Sequence, residues 1–162
     1  MIIVSKPQGS NQGNTLAAQR RKARHYGMQA LYQWYMAEAP LNVIEAEFRT
    51  DYDFSHVDSE YFQALLHEIP AKVDELEAVF TPLLDRKLEE LDPIERTLLR
   101  MGTWELGGRI DVPYKVAINE AVSLAKKFGA TDSHKYINGV LDKLARKLRQ
   151  VEWAADHPGG AA

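Results

Sequence analysis

The stretch LDPIERTLLRMGTWELGG, residues 91–108, decides the fold. Asp92 stands where a helix cap belongs, Pro93 fits the first helical position, and Glu95 follows the cap by three residues. Proline is tolerated there because the N–H it lacks would have no partner inside the helix. This signal predicts a helix running to about Leu106 and ended by Gly107-Gly108. Beyond it, Asp111 to Pro113 read as a linker. A further helix spans about Tyr114 to Phe128 and is closed by Gly129. Thr131 or Asp132 caps the next one, on which Ile137, Val140, Leu141, Leu144 and Leu148 face inward.

The same period continues toward the N-terminus. Ala23, Gly27, Ala30, Leu31 and Trp34 fall on one face of a first helix. Pro40 starts a short second helix with Leu41, Ile44 and Phe48 inward. DYDFSHVD, residues 51–58, is a polar break, and Asp58 is a candidate cap for a stripe of Phe62, Leu65, Leu66 and Ile69. Pro70 starts a new turn that Val73, Leu76 and Phe80 continue, and Pro82 either breaks that helix or begins the next. No segment shows sustained strand alternation. The expected fold is all-α, a compact bundle of about six or seven helices with short connections.

At 162 residues, 45% of them hydrophobic, the chain suffices for one domain or two small subdomains. It has no cysteine, which excludes a disulfide scaffold, thiol chemistry and cysteine metal sites. No apolar run approaches bilayer length, and the N-terminus lacks the basic-then-apolar order of a signal peptide. The expectation is a soluble, cytoplasmic protein with no membrane association. Residues 1–19, rich in Ser, Asn, Gln and Gly, read as a flexible tail. Residues 151–162, ending HPGGAA, read the same way, which leaves 20–150 as the helical domain.

The net charge of −3 hides three zones. Before Glu38 there are five basic residues and no acidic one. From Glu38 to Glu95, sixteen acidic residues face four basic. From Arg96 onward, eleven basic residues face seven acidic. A polyanion suits the ends and a basic protein suits the middle.

No catalytic constellation is legible. The five histidines, at 25, 56, 67, 134 and 157, do not pair at metal-ligand spacing, so neither a metal nor a cofactor is expected. There is no P-loop and no dinucleotide glycine fingerprint. Gly107-Gly108 and Gly139 read as a helix end and a close helix contact. Glu89-Glu90 reads as a solvated face, and Ser133-His134 as a helix's first turn.

The basic start is more pointed. Arg20, Arg21, Lys22 and Arg24 crowd the expected mouth of the first helix. Positive charge at a helix N-terminus opposes the macrodipole, at about 0.3–1 kcal/mol per charge. Either this is a solvated helix end, or a phosphate backbone docks on the arginines and the unpaired amides. Tyr32 and Tyr35 lie off the apolar stripe. They either widen the buried face or offer a partner surface.

RRKARHYGMQALYQWY, KLEELDPIERTLLRMGTWEL and, above all, DVPYKVAINEAVSLAKKFGATDSHKYINGVLDKLAR together resemble the NusB family of bacterial transcription antitermination factors, over about Arg20 to Arg149. The resemblance implies two small helical bundles. It implies binding of the boxA segment of ribosomal RNA leader transcripts as single-stranded RNA, in a heterodimer with NusE, a small-subunit ribosomal protein, within the RNA polymerase antitermination complex. The family's RNA contacts would fall on Arg20, Arg21, Lys22 and Arg24, and on the loop of residues 129–134 including Asp132. Its partner surface would include Tyr32, Glu89 and Glu95, inside or beside the acidic middle. The long head, and Lys22 with His25-Tyr26, depart from the family's usual start.

Two other roles fit the sequence. NusB-like domains also serve as RNA-binding modules of ribosomal RNA methyltransferases, although the expectation here is a complete protein with no enzyme activity. Some NusB-like proteins self-associate through the partner face. Such a homodimer would bury Tyr32 against its own copy.

Overall fold

The computed structural model describes residues 15–159. Among them are eight α-helices and no strand, as the all-α expectation requires. They are α1 Leu16–Ala37, α2 Leu41–Asp51, α3 Ser59–Ala71, α4 Val73–Phe80, α5 Pro93–Gly108, α6 Tyr114–Phe128, α7 Ser133–Leu148 and α8 Gln150–Asp156. Two 3-10 turns, Thr81–Leu83 and Leu88–Glu90, link α4 to α5. The chain divides into two compact units, at Pro70 and Ala71.

In the N-terminal unit, α1 starts earlier than its apolar stripe suggests. Thr15 caps it, its side chain accepting from Ala18 N at 3.1 Å. Residues 16–19, expected in the tail, therefore belong to the helix, and residues 1–14 of that expected tail lie outside the described residues. The cap found is a polar residue five positions before the first arginine, which hydrophobic periodicity does not register. Ala23, Gly27, Ala30 and Leu31 are buried as expected, and Trp34 only half so. Gly27 is where α1 meets α3: a Cβ there would stand 3.0 Å from Leu65 Cδ1. Asp58 caps α3 as expected, Oδ1 accepting from Tyr61 N at 3.0 Å. Pro70 lies inside α3 rather than starting a turn.

In the C-terminal unit, the Asp92 signal is borne out: Oδ1 accepts from Glu95 N at 2.8 Å and α5 follows. Every residue of α5 from Thr97 to Leu106 is buried, which marks it as the central helix of this unit. The close glycine contact is Gly102 against Leu141, where a Cβ would stand 2.7 Å from the leucine methyls. Gly139, read as that contact, is exposed and faces nothing within 4 Å. The α7 stripe Ile137, Val140, Leu141 and Leu144 is buried, while Leu148 is 38% exposed.

The stretch read as a C-terminal tail contains α8. Arg149, 4% exposed, turns back to cap α5, donating to the carbonyls of Leu106 at 2.7 Å, Glu105 at 3.1 Å and Arg109 at 2.8 Å. Trp153 is buried under the His157 ring, 3.7 Å away and nearly parallel. One tryptophan in a polar run has no periodicity, so composition alone reads the segment as tail.

Candidate nucleic-acid interface

With α1 capped at Thr15, Arg20 is its fifth residue, and the cluster sits a turn inside the helix rather than at its mouth. The macrodipole acts mainly over the first turn, so the expected conflict between these charges and the helix end largely disappears.

The four cations then separate by environment. Arg21 and Lys22 are exposed. Arg20 is partly covered: Nε donates to Asp58 Oδ2 at 3.4 Å and its guanidinium lies 4.7 Å from the Tyr61 ring centroid. Arg24 is 3% exposed, with its guanidinium 5.3 Å from the same ring. The Tyr61 ring thus faces two guanidiniums, a cation–π arrangement that holds both against α3. Arg24, expected among the RNA contacts, is a buried residue of the unit's interior. Arg20 and Arg24 lie one turn apart on α1, so both meet the Tyr61 ring on α3.

Tyr32 is half-buried on α1. Tyr26, one turn after Lys22, belongs to an aromatic group, its ring 5.5 Å from Phe54 and 4.9 Å from Tyr52.

The remaining predicted site residues lie in the C-terminal unit. Glu89 is exposed in the 3-10 turn Leu88–Glu90. Glu95 is 8% exposed, and its carboxylate accepts from Ser133 Oγ at 2.8 Å. The reciprocal bond of a capping box is therefore replaced by a link from the start of α5 to the start of α7. Asp132 is exposed and makes no cap bond to α7, against expectation. Its Oδ1 instead lies 3.7 Å from Lys135 Nζ.

An open depression brings Glu95 and Asp132 together with Arg86, Thr131, Lys135 and Tyr136. The Arg86 guanidinium lies 4.1 Å from the Tyr136 ring centroid and Nε donates to Asp85 Oδ1 at 2.9 Å. Burial and the Asp85 carboxylate push the Tyr136 hydroxyl up, while the Arg86 bond holds Asp85 below its ordinary value. Sequence reading missed Arg86, Lys135 and Tyr136. The only available signal was the i,i+3 spacing of Asp132 and Lys135.

This arrangement offers cations, aromatic faces and carboxylates for binding. Among the described residues there is no cluster of three or more potential metal ligands, and no helix is long and apolar enough to cross a membrane.

A family model described as the NusB family matches residues 21–146. The chain is 52% identical over 147 residues to a transcription antitermination protein NusB from Pseudomonas fluorescens, covering 90% of this chain and 89% of the relative. It is 59% identical over 140 residues to the protein of that name from Teredinibacter turnerae, covering 86% and 95%. Among solved structures, T. maritima NusB superposes with a TM-score of 0.67 at 26% identity, covering 79% of this chain and 91% of that one. With the family model spanning most of its length and relatives above half identity over most of both chains, this chain belongs to the NusB family.

Proposed function

We propose that this chain is a transcription antitermination factor that binds boxA as single-stranded RNA in a heterodimer with NusE. It acts as a binding protein, without catalysis, in the cytoplasmic RNA polymerase antitermination complex. The observation that carries the RNA reading is the exposed Arg21-Lys22 pair beside the half-covered Arg20 on α1. Three consecutive cations on α1, two of them exposed, give a polyanion a foothold that the chain's net charge of −3 conceals.

The contacts are assigned unequally. Arg20, Arg21 and Lys22 neutralise phosphates, and arginine planes also stack on unpaired bases. Arg24 contributes by holding α1 against Tyr61. About three phosphate contacts correspond to a salt slope of about −2 for a single strand. Asp132, exposed on its loop, lowers affinity for RNA by repulsion, so Asp132→Asn strengthens binding. On the partner side, the acidic zone from Glu38 to Glu95 suits a basic ribosomal protein, with Glu89 and Tyr32 at the contact.

The test is fluorescence anisotropy of a boxA oligomer titrated with this protein alone and then with NusE. A scrambled RNA and an Arg21→Ala/Lys22→Ala variant are the controls. The reading requires selective binding that rises with NusE and collapses in the variant. Equal binding to both RNAs would reduce the cluster to a solvated face.

A further inference from the structure

We infer that Ser133, through its hydrogen bond to Glu95, is the positioning residue that fixes the loop of residues 129–134 and with it the carboxylate of Asp132. The inference rests, for its effect on RNA, on the boxA reading above. Its structural half stands on the C-terminal unit alone.

The loop connects α6 to α7 with few anchors. Gly129 N donates to Ala125 O at 2.8 Å, Ser133 N to Ala130 O at 3.0 Å, and Lys135 N and Tyr136 N to Asp132 O at 3.1 and 3.4 Å, all of them bonds local to the turn. Gly129 also admits Ser133 closely: a Cβ there would stand 3.0 Å from Ser133 Cβ and 2.8 Å from the Ala125 carbonyl oxygen. Ala130, Thr131 and Asp132 are exposed. Ser133 is different. It is 3% exposed, and its hydroxyl donates to Glu95 Oε2 at 2.8 Å. Glu95 is itself fixed, as its backbone N–H is held by the Asp92 cap on the central helix.

The bond is shielded from water at both ends, and a buried hydroxyl that loses its acceptor has no solvent to replace it, so the contact holds firmly. Asp132 is the residue next to this anchor. Its own side chain makes only a 3.7 Å approach to Lys135, a solvent-exposed pair that holds nothing firmly. Ser133 therefore ties the segment that carries Asp132 to the central helix, and Glu95, which lines the same depression, is the group it grips.

The experiment has two arms. The first is native-state amide exchange, which needs no RNA. Ser133→Ala should speed exchange at the bonded amides of residues 133, 135 and 136 by about tenfold while α6 amides stay as they were. Glu95→Gln keeps an acceptor oxygen for the hydroxyl and should hold the loop within about twofold of wild type. Unchanged exchange in Ser133→Ala would overturn the inference. The second arm is a double-mutant cycle on boxA affinity. Asp132→Asn should strengthen binding in the wild-type background. It should lose at least half of that gain in the Ser133→Ala background and keep it in Glu95→Gln. An equal gain in all three backgrounds would also overturn the inference. A wild-type protein that ignores boxA would defeat the RNA reading, while the exchange arm would still decide the role of Ser133.

Discussion

Asp58 holds Arg20 and a helix end at once: Oδ2 accepts from Arg20 Nε at 3.4 Å while Oδ1 accepts from Tyr61 N at 3.0 Å. The backbone joins in, with Asp58 N donating to Gln19 O at 3.1 Å. The residue that starts α3 is therefore tied to the turn of α1 that carries the cations. Asp58→Asn keeps a capping oxygen and drops the charge. It should cost less than about 1 kcal/mol in a thermal melt. It should also strengthen boxA binding, because the Arg20 charge is no longer countered. Asp58→Ala loses cap and pair together and should cost about 1–2 kcal/mol. Weaker RNA binding by a well-folded Asp58→Asn protein would argue that Arg20 is not a phosphate contact.

Arg21 and Lys22 should behave differently from Arg24. Alanine at both exposed positions should leave stability within about 0.5 kcal/mol and flatten the salt slope of RNA binding by about 1.4. Arg24→Ala removes a buried guanidinium from the Tyr61 face, so its main effect should be on the melting temperature. Affinity measured across several salt concentrations separates the two, since a lost phosphate contact changes the slope and a lost packing contact does not.

Legibility in the sequence followed the physics of each signal. Asp92 and Asp58 were readable as caps because a cap bond spans three residues and needs only one short polar side chain. The α6 bounds were readable because Pro113 and Gly129 flank a strong apolar period. The burial of Arg24 was not readable. It depends on Tyr61, 37 positions away, whose ring face no local pattern reveals. The Glu95–Ser133 bond, spanning 38 positions, is hidden for the same reason, and the capping-box pattern even suggested a different partner for Glu95. The α8 helix escaped because a single buried tryptophan and a back-turned arginine anchor it, rather than a stripe.

Acid should weaken the C-terminal unit through Glu77. Burial alone would push its carboxyl up. The hydrogen bonds from Arg96 at 2.7 Å and Arg100 at 2.8 Å outweigh that and hold it below the ordinary 4.5. A carboxyl depressed in the fold contributes stability that is present above its unfolded value and lost as pH falls through the folded one. Urea midpoints followed from about pH 6 to pH 3 should therefore fall below about pH 4.5, and fall less steeply in Glu77→Gln. The variant should already be weaker at neutral pH by about 3–5 kcal/mol, because two largely buried guanidiniums lose their shared carboxylate. Identical pH profiles for the two proteins would assign the acid sensitivity to other carboxylates, Glu45 beside His67 first among them.

Tyr114 reports whether α8 is seated. Its hydroxyl donates to Asp156 Oδ2 at 2.9 Å and its backbone N–H to Glu152 Oε2 at 3.1 Å. Glu152 in turn accepts from Arg149 Nη1 at 2.6 Å, the arginine that caps α5. Burial, then the Asp156 bond and charge, push the Tyr114 hydroxyl up from 10.0 to about 12. A phenol raised in the fold contributes stability that is present below its unfolded value and lost as pH rises from 10.0 toward about 12. Ultraviolet titration of the folded protein should show a late tyrosine at about 12 that Tyr114→Phe removes, beside the separately raised Tyr136. Asp156→Asn keeps an acceptor and removes the charge, so the late tyrosine should move partway back. Removing residues 151–162 takes away Trp153, Glu152 and Asp156 together. That truncation should return the late tyrosine toward its ordinary range and cost about 3 kcal/mol or more, chiefly from the lost tryptophan. A truncated protein with unchanged stability and an unchanged late tyrosine would mean that α8 is dispensable to the C-terminal unit, and that Arg149 alone closes α5.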